Sequence, residues 1–529
     1  MRRAVAGVAV LVLALAGCGS GGGTRLGGDG GLTTITAQLT EPGDLRPGNT
    51  DDFWGRSVES LLYAGLTTYD PRTGRAVNLV AKTIETKDEK HWTITLKPGW
   101  TFHDGEPVTA QSFVGAWTAA VRLSSANASF FTDLLKISGA DEVGPGKSRT
   151  DIPGLRAVGD KTIELTLDEP NSNVPLILGN TAFFPVPESV IKSDGWKKYN
   201  ERPIGDGPYR MAEPWRHNRY IKLARYGAYP GPDKGRPDSI TFRIYSDPQK
   251  AYNDALDGAL DVAQVPPSRL GSASGEFGKR YVRAPSSSFV FLGFPLWKKE
   301  YQDIRVREAF SMAIDREQIA EILYHGAVIP AKGLVTPLIH LGHRDDACGE
   351  ACGFHPVKAK RLLDESGFPL KSVELWYDSG AGNDDWVEAV ANQLRRTLGI
   401  DVQLKAESWA AYKDATTSRK VTGPYRLGWL MDYPSPEDYL APLYGTNGAS
   451  NGPGYSNHDV DGDLARAAAA TTPDAAVPYY HEAEDQVLDD LPVAPLWFGT
   501  NQYVHSERTG NLTFDPLSYL RYGQIEVKS

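Results

Sequence analysis

No basic excess marks this chain. Its 56 lysines and arginines are outnumbered by 66 aspartates and glutamates, a formal net charge of −10. That balance argues against a nucleic-acid binder, which normally carries a positive surplus. No run suited to a spanning helix opens the chain either. The apolar stretch 4–16 has 13 residues, against the roughly 20 that a bilayer crossing requires. Cysteine is scarce, with three residues at positions 18, 348 and 352, and no internal repeat is visible. What is present is ordinary for a large globular protein: 41% hydrophobic and 23% charged residues over 529 positions. That length exceeds one hydrophobic core and fits two or three domains.

The first residues read as an export leader. Arg2 and Arg3 give a positive start, and 4–16 fits the apolar region of a signal segment. Leu15-Ala16-Gly17-Cys18 resembles the bacterial lipobox, in which the leader is removed and the cysteine is diacylated. The alternative is a short anchor helix with an incidental cysteine. Residues 1–17 are the expected leader, Cys18 the lipidation site, and the glycine-rich 18–31 a flexible tether. Outside the cytoplasm Cys348 and Cys352 are expected to form a disulfide. A zinc set of His340, His343, Cys348 and Cys352 is the other reading, with no open position for chemistry; free thiols are a third.

Further along, short alternating runs mix with amphipathic helices. Trp92-Thr93-Ile94-Thr95-Leu96 alternates as a half-buried strand does, as do 162–167 and 239–245. Asp247-Pro248 predicts a helix start, and Asp303 caps another. Asp315 with Gln318 predicts a capping box, and Pro356 and Gly367 bracket a helix. Val373 to Tyr377 reads as a strand, Val387, Val390, Ala391, Leu394 and Leu398 as a helix face closed by Gly399, and Ile400, Val402 and Leu404 as a second strand. Strand, helix, strand makes a βαβ unit and predicts an α/β layer structure. The earlier strands, with few helices between them, predict a more meandering accessory sheet.

Catalytic arrangements are weak. Gly448-Ala449-Ser450-Asn451-Gly452 has the letters of a nucleophile elbow, but it lies among Asn, Gly and Pro453 with no helix to follow. Asp459, Asp461 and Asp463 alternate as in a calcium loop, yet Leu464 and Ala470 stand where Gly and Glu belong, so a solvated turn is expected. Gly146-Lys147-Ser148 lacks the leading glycine of a phosphate loop. His103-Asp104 reads as a turn. No enzyme, metal or cofactor is expected. The positive signal is aromatic: 12 Trp and 24 Tyr, many near Pro and Gly, suit a cleft with apolar walls and polar tips as well as a large core.

Five segments in order resemble the oligopeptide- and dipeptide-binding family of extracellular solute-binding proteins (family 5). They are Ser60-Leu61-Leu62-Tyr63-Ala64-Gly65-Leu66, the stretch 92–114, Pro203-Ile204-Gly205-Asp206-Gly207-Pro208-Tyr209, Leu256-Asp257-Gly258-Ala259-Leu260-Asp261, and 303–310 with Ala313-Ile314-Asp315-Arg316. The resemblance implies an α/β, bilobal, periplasmic-binding-protein-like (type II) clamp with an inserted α+β domain. Lobe I would take 32–57, 181–284 and 495–529, the accessory domain 58–180, and lobe II 285–494. It implies a monomer that captures peptides for the permease of an ABC-type importer, at the outer face of a bacterial cytoplasmic membrane. Binders of oligosaccharides, opines and metal chelates share that family, and a lipid-anchored hydrolase is a remote alternative.

The implied site lies in Arg426-Leu427-Gly428-Trp429-Leu430-Met431-Asp432-Tyr433. Asp432 matches the carboxylate that meets a peptide's amino group, and Arg426 a residue that can meet its carboxylate. Trp429 and Trp409 match aromatic walls, Gly428 and Leu430 would present main-chain groups, and Tyr433 adjoins them. Asp432 also reads as a cap before Pro434, and Arg426 as a surface ion-pair residue.

Overall fold

The computed structural model describes residues 33–380 and 382–528; the expected leader, Cys18 and the tether lie outside the described residues. Alternation in Thr34–Leu39 sends Ile35, Ala37 and Leu39 inward, and this strand is one of eleven in a single mixed sheet. From edge to edge the sheet runs Asp401–Glu407, Ser372–Asp378, Tyr425–Trp429, Tyr281–Gly293, Val493–His505, Val262–Gln264, Thr34–Leu39, Ser239–Ile244, Tyr220–Arg225 and Tyr209–Met211. Val328–Pro330 joins Val493–His505 off this path.

The two central strands, of 13 residues each, carry the sheet from one half to the other. Residues 281–285 pair antiparallel with 500–504, and 289–293 with 493–498; the register breaks between Pro285 and Phe289. Pro285 has no N–H to give the ladder, so the break follows a residue that cannot donate. Different hydrophobic clusters serve the two halves. One gathers Ile35, Val58, Trp117 and Phe242; another gathers Leu292, Phe310, Val390 and Leu496; a third gathers Phe289, Tyr439 and Val487.

A four-stranded antiparallel sheet, Ala81–Thr86, His91–Leu96, Thr162–Thr166 and Leu155–Val158, stands apart. It shares its core with the helix Ala110–Arg122, whose first turn is held by a reciprocal Thr109–Ser112 box. This is the meandering sheet expected before residue 180.

The βαβ unit is present. Ser372–Asp378 and Asp401–Glu407 pair in parallel around the helix Asp384–Leu398, which Gly399 ends at φ +68°. Asp303 and Asp247 cap their helices as expected. The Asp315 box is only half local. Asp315 accepts from the Gln318 N–H, but its own N–H donates to Gln393 of the neighbouring helix at 2.8 Å. Cys348 and Cys352 form a disulfide, and no metal cluster occurs among the described residues. The solvated turn expected at 459–463 is instead the start of the helix His458–Ala468, with Asn457 as cap and Asp463 buried against Gln486. An Asn side chain satisfying the first N–H groups outweighed the loop-like spacing.

Two family-like segments meet at the end of the helix Phe53–Leu62. A Cβ on Gly205 would lie 1.8 Å from the Leu62 carbonyl oxygen, and one on Gly207 2.6 Å from the Leu62 carbonyl carbon. Only glycine permits that approach. Between them the buried Asp206 accepts from the Ala64 N–H.

Burial raises Asp206 and the equally buried Glu59 to about 8, while burial lowers His103 to about 4. A carboxyl with a raised folded pKa binds its proton more tightly in the native state, so stability falls as pH climbs from the unfolded value to the folded one. His103 acts oppositely between about 4 and 6.5, so it no longer opposes the carboxyl effect from 6.5 to 8, where His217, raised by Glu41 and Glu201, acts in the same direction as the carboxyls. Stability should fall there by about 1–2 kcal/mol per carboxyl. Glu59→Gln and Asp206→Asn should each flatten the pH profile of the urea midpoint; an unchanged slope in both refutes the assignment.

Candidate functional site

The strand Tyr425–Trp429 is ordered on one side only. It pairs antiparallel with Tyr281–Gly293, placing Gly428 opposite Val290 and Trp429 opposite Phe289. On the other side it meets Ser372–Asp378 at a single pair, Trp376 with Tyr425. From Arg426 onward that edge has no ladder partner among the described residues. Gly428 is exposed, and Leu430 is 61% exposed. A Cβ on Gly428 would come within 3.2 Å of Arg426 Nη2, so the missing side chain makes room for the guanidinium folded along the strand.

The chain then turns inward. Asp432 Oδ1 accepts from Arg56 Nη1 at 3.3 Å, and Arg56 sits on the helix Phe53–Leu62, in the other half of the molecule. The same guanidinium donates to Asn127 Oδ1 at 3.2 Å and to the Thr50 carbonyl at 3.4 Å. The Asp432 backbone is also fixed. Its carbonyl accepts from Asn180 Nδ2 at 2.8 Å, and its N–H donates to Asp438 Oδ2 at 3.1 Å. Trp429 Nε1 donates to that same Asp438 oxygen at 2.9 Å, which sets the indole plane.

Burial pushes the Asp432 carboxyl up, and Arg56 pulls it partly back. Burial, then the nearby Asp432, pushes Asp438 well above the usual carboxylate range. Arg56 is lowered by burial but held above its ordinary value by Tyr519 and Asp432. The Asp432 side chain keeps 21% of its surface, and among the described residues its Oδ2 accepts no hydrogen bond.

The other expected residues are distributed around this point. Trp409, 58% exposed, opens the helix Trp409–Thr417; Tyr412 of that helix donates its hydroxyl to the Arg426 carbonyl. Arg426 Nη1 lies 3.5 Å from Asp378 Oδ1. Tyr433 does not face open space: it is buried in the first cluster with its hydroxyl on Glu437. A cavity of about 750 Å³ follows Asp432 in the chain, between Trp92 and Asn173 on one side and 434–436 with Tyr480 on the other. Its lining includes neither Asp432 nor the strand. A groove of about 940 Å³ beside the helix Pro356–Ser366 has paired charges along it and is lined by none of the site residues. Sequence reasoning missed Arg56, Asn180, Asp378 and Asp438. The first three carry no local signal, and Asp438 reads as an ordinary first-turn acid after Ser435-Pro436.

The model of bacterial extracellular solute-binding proteins, family 5, matches residues 75–451. This chain belongs to that family. Among its relatives, the oligopeptide-binding protein OppA of Bacillus subtilis is 27% identical over 520 residues, 94% of each chain. The periplasmic murein peptide-binding protein MppA of Escherichia coli is 28% identical, over 87% of this chain and 86% of that one. Among solved structures, the unliganded open form of the murein tripeptide-binding protein MppA superposes with a TM-score of 0.80 at 24% identity, covering 94% of this chain and 97% of that one. The bilobal α/β clamp with its additional domain is thus the fold of this solute-binding protein. No helix among the described residues is long and apolar enough to cross a membrane.

Proposed function

We propose that this solute-binding protein captures peptides bearing a free amino end outside the cell and delivers them to an ABC-type importer. The half-open Asp432 carboxylate carries the reading: one oxygen is held by Arg56 and the other has no hydrogen-bond partner among the described residues. A charge-assisted bond from an ammonium completes such a group. The ligand then runs along the unpaired edge of Tyr425–Trp429, where the main-chain groups of Gly428 and Leu430 add it as an extra strand. Backbone pairing is indifferent to side-chain identity. Trp429 and Trp409 supply apolar walls, Arg426 stands at the far end, and Tyr433 anchors the turn.

The first lobe takes 32–57, 181–284 and 495–529, the second 285–494, and 58–180 forms the accessory domain. A lipid on Cys18 holds the monomer at the outer membrane face. The names of the relatives OppA and MppA, both peptide binders, support the ligand class.

Gently isolated protein should release short peptides of mixed sequence, read by mass spectrometry. Calorimetry should then show that N-acetylation of a bound peptide lowers its affinity at least a hundredfold. Equal binding of the acetylated form would replace this reading with a ligand that needs no ammonium, such as an oligosaccharide, opine or metal chelate. Gly428→Val tests the strand. It should leave stability within about 0.5 kcal/mol, as exposed substitutions do, yet weaken peptide binding about tenfold, or 1.4 kcal/mol, by displacing Arg426 and crowding the open edge.

A further inference from the structure

The parallel strands Ser372–Asp378 and Tyr425–Trp429 touch at one pair and then part. Asp378 closes the first strand and Arg426 follows the contact on the second, so the two face each other across the fork. Their pairing is incomplete. Arg426 Nη1 is 3.5 Å from Asp378 Oδ1, with the side chains 24% and 5% exposed. Asp378 Oδ1 and Arg426 Nε are both buried and have no hydrogen-bond partner among the described residues. A buried acceptor and a buried donor are thus left open at one place. Native interiors seldom tolerate such groups unless something else satisfies them.

Whatever fills this gap must donate to a carboxylate and accept from a guanidinium. A terminal carboxylate fails, because it only accepts and would bring a second negative charge beside Asp378. One extended residue of a peptide meets both demands, because its own N–H and C=O point to the same side: the N–H toward Asp378 and the C=O toward Arg426. Resting on the peptide reading above, we infer that Asp378 and Arg426 receive the N–H and C=O of one extended residue inside the bound chain. This end of the site therefore does not select a free C-terminus. Arg426 belongs to the site, but its charge is already answered by Asp378, contrary to the role its position in the sequence suggests.

The test is calorimetry on the full chain with free-amino peptides of two to six residues, each made as the acid and as the C-terminal amide. At every length the two forms should bind within about threefold. Asp378→Asn leaves the guanidinium unopposed and should create a preference for the acid of tenfold or more at one length. Arg426→Gln should weaken acid and amide equally. A wild-type preference for the acid of tenfold or more, lost in Arg426→Gln, would overturn the inference and make Arg426 a carboxylate receptor. So would affinities unmoved by either substitution, as when water alone fills the gap. Failure of every free-amino peptide to bind defeats the peptide reading and this inference with it, an outcome distinct from either of those.

Discussion

Asp432→Asn should lower the affinity for a free-amino peptide by two to three decades, about 3–4 kcal/mol. Asparagine keeps the shape and can still accept from Arg56, but it supplies no charge to an ammonium in a poorly hydrated space. The loss should appear mainly as faster dissociation, as it does when one member of a desolvated pair is removed. A second consequence concerns the ligand-free protein. Arg56 has Asp432 as its ionic partner across the two halves of the molecule, so the substitution leaves a buried guanidinium with neutral hydrogen-bond acceptors, among them Asn127 and the Thr50 carbonyl, but without that carboxylate. Arg56→Met combined with Asp432→Asn should restore much of the stability lost by Asp432→Asn alone, with no recovery of peptide binding. Calorimetry and urea unfolding on the three variants separate the effects. Peptide affinity within threefold of wild type in Asp432→Asn would remove this carboxylate from the site.

Arg316→Ala should be the most destabilising single change in the second half of the molecule. Arg316 is 3% exposed and, among the described residues, hydrogen-bonds to no carboxylate. Its five hydrogen bonds instead go to the carbonyls of Pro495, Ser311, Ile314 and Cys352 and to the Ser311 hydroxyl, at 2.6–3.2 Å. One fork ties a central strand, a helix end and the disulfide loop together. Burial lowers its pKa, yet the carbonyl dipoles solvate the cation. Alanine leaves these buried acceptors unmade, each worth about 1–3 kcal/mol, and opens a cavity. The sum is not additive, but about 4–5 kcal/mol is a reasonable total against a usual stability of 5–15 kcal/mol. The variant should unfold at much lower urea or fail to accumulate folded. Arg316→Lys, which keeps the charge but not the fork, should fall between. A loss under about 1 kcal/mol in Arg316→Ala would show that the network is dispensable.

Arg316 also illustrates what a sequence conceals. The run Ala313-Ile314-Asp315-Arg316 was legible as a family-like segment and a helix start. That its arginine would carry carbonyls 36 and 179 residues away was not. Arg307 is similar, capping the helix Pro473–Asp490 by donating to the Asp490 and Leu491 carbonyls. Helices, caps and the βαβ unit were readable because periodicity and capping are local. The candidate site was half readable. The segment 426–433 announced itself, but Arg56 and Asp378 reach it through tertiary contacts that leave no mark at their own positions. The aspartates at 459–463 misled because spacing alone does not distinguish a loop from the first turn of a helix.

The break in register between Pro285 and Phe289 has a mechanical meaning. Where the ladder is interrupted the strands exchange no main-chain hydrogen bonds; the Ser287 N–H donates to the Ser518 hydroxyl instead, and the Ser286 and Ser287 carbonyls accept from the Thr336 and Tyr439 hydroxyls. Any turning of one half against the other would therefore be taken up by side-chain bonds inside a continuous sheet rather than by a loose linker.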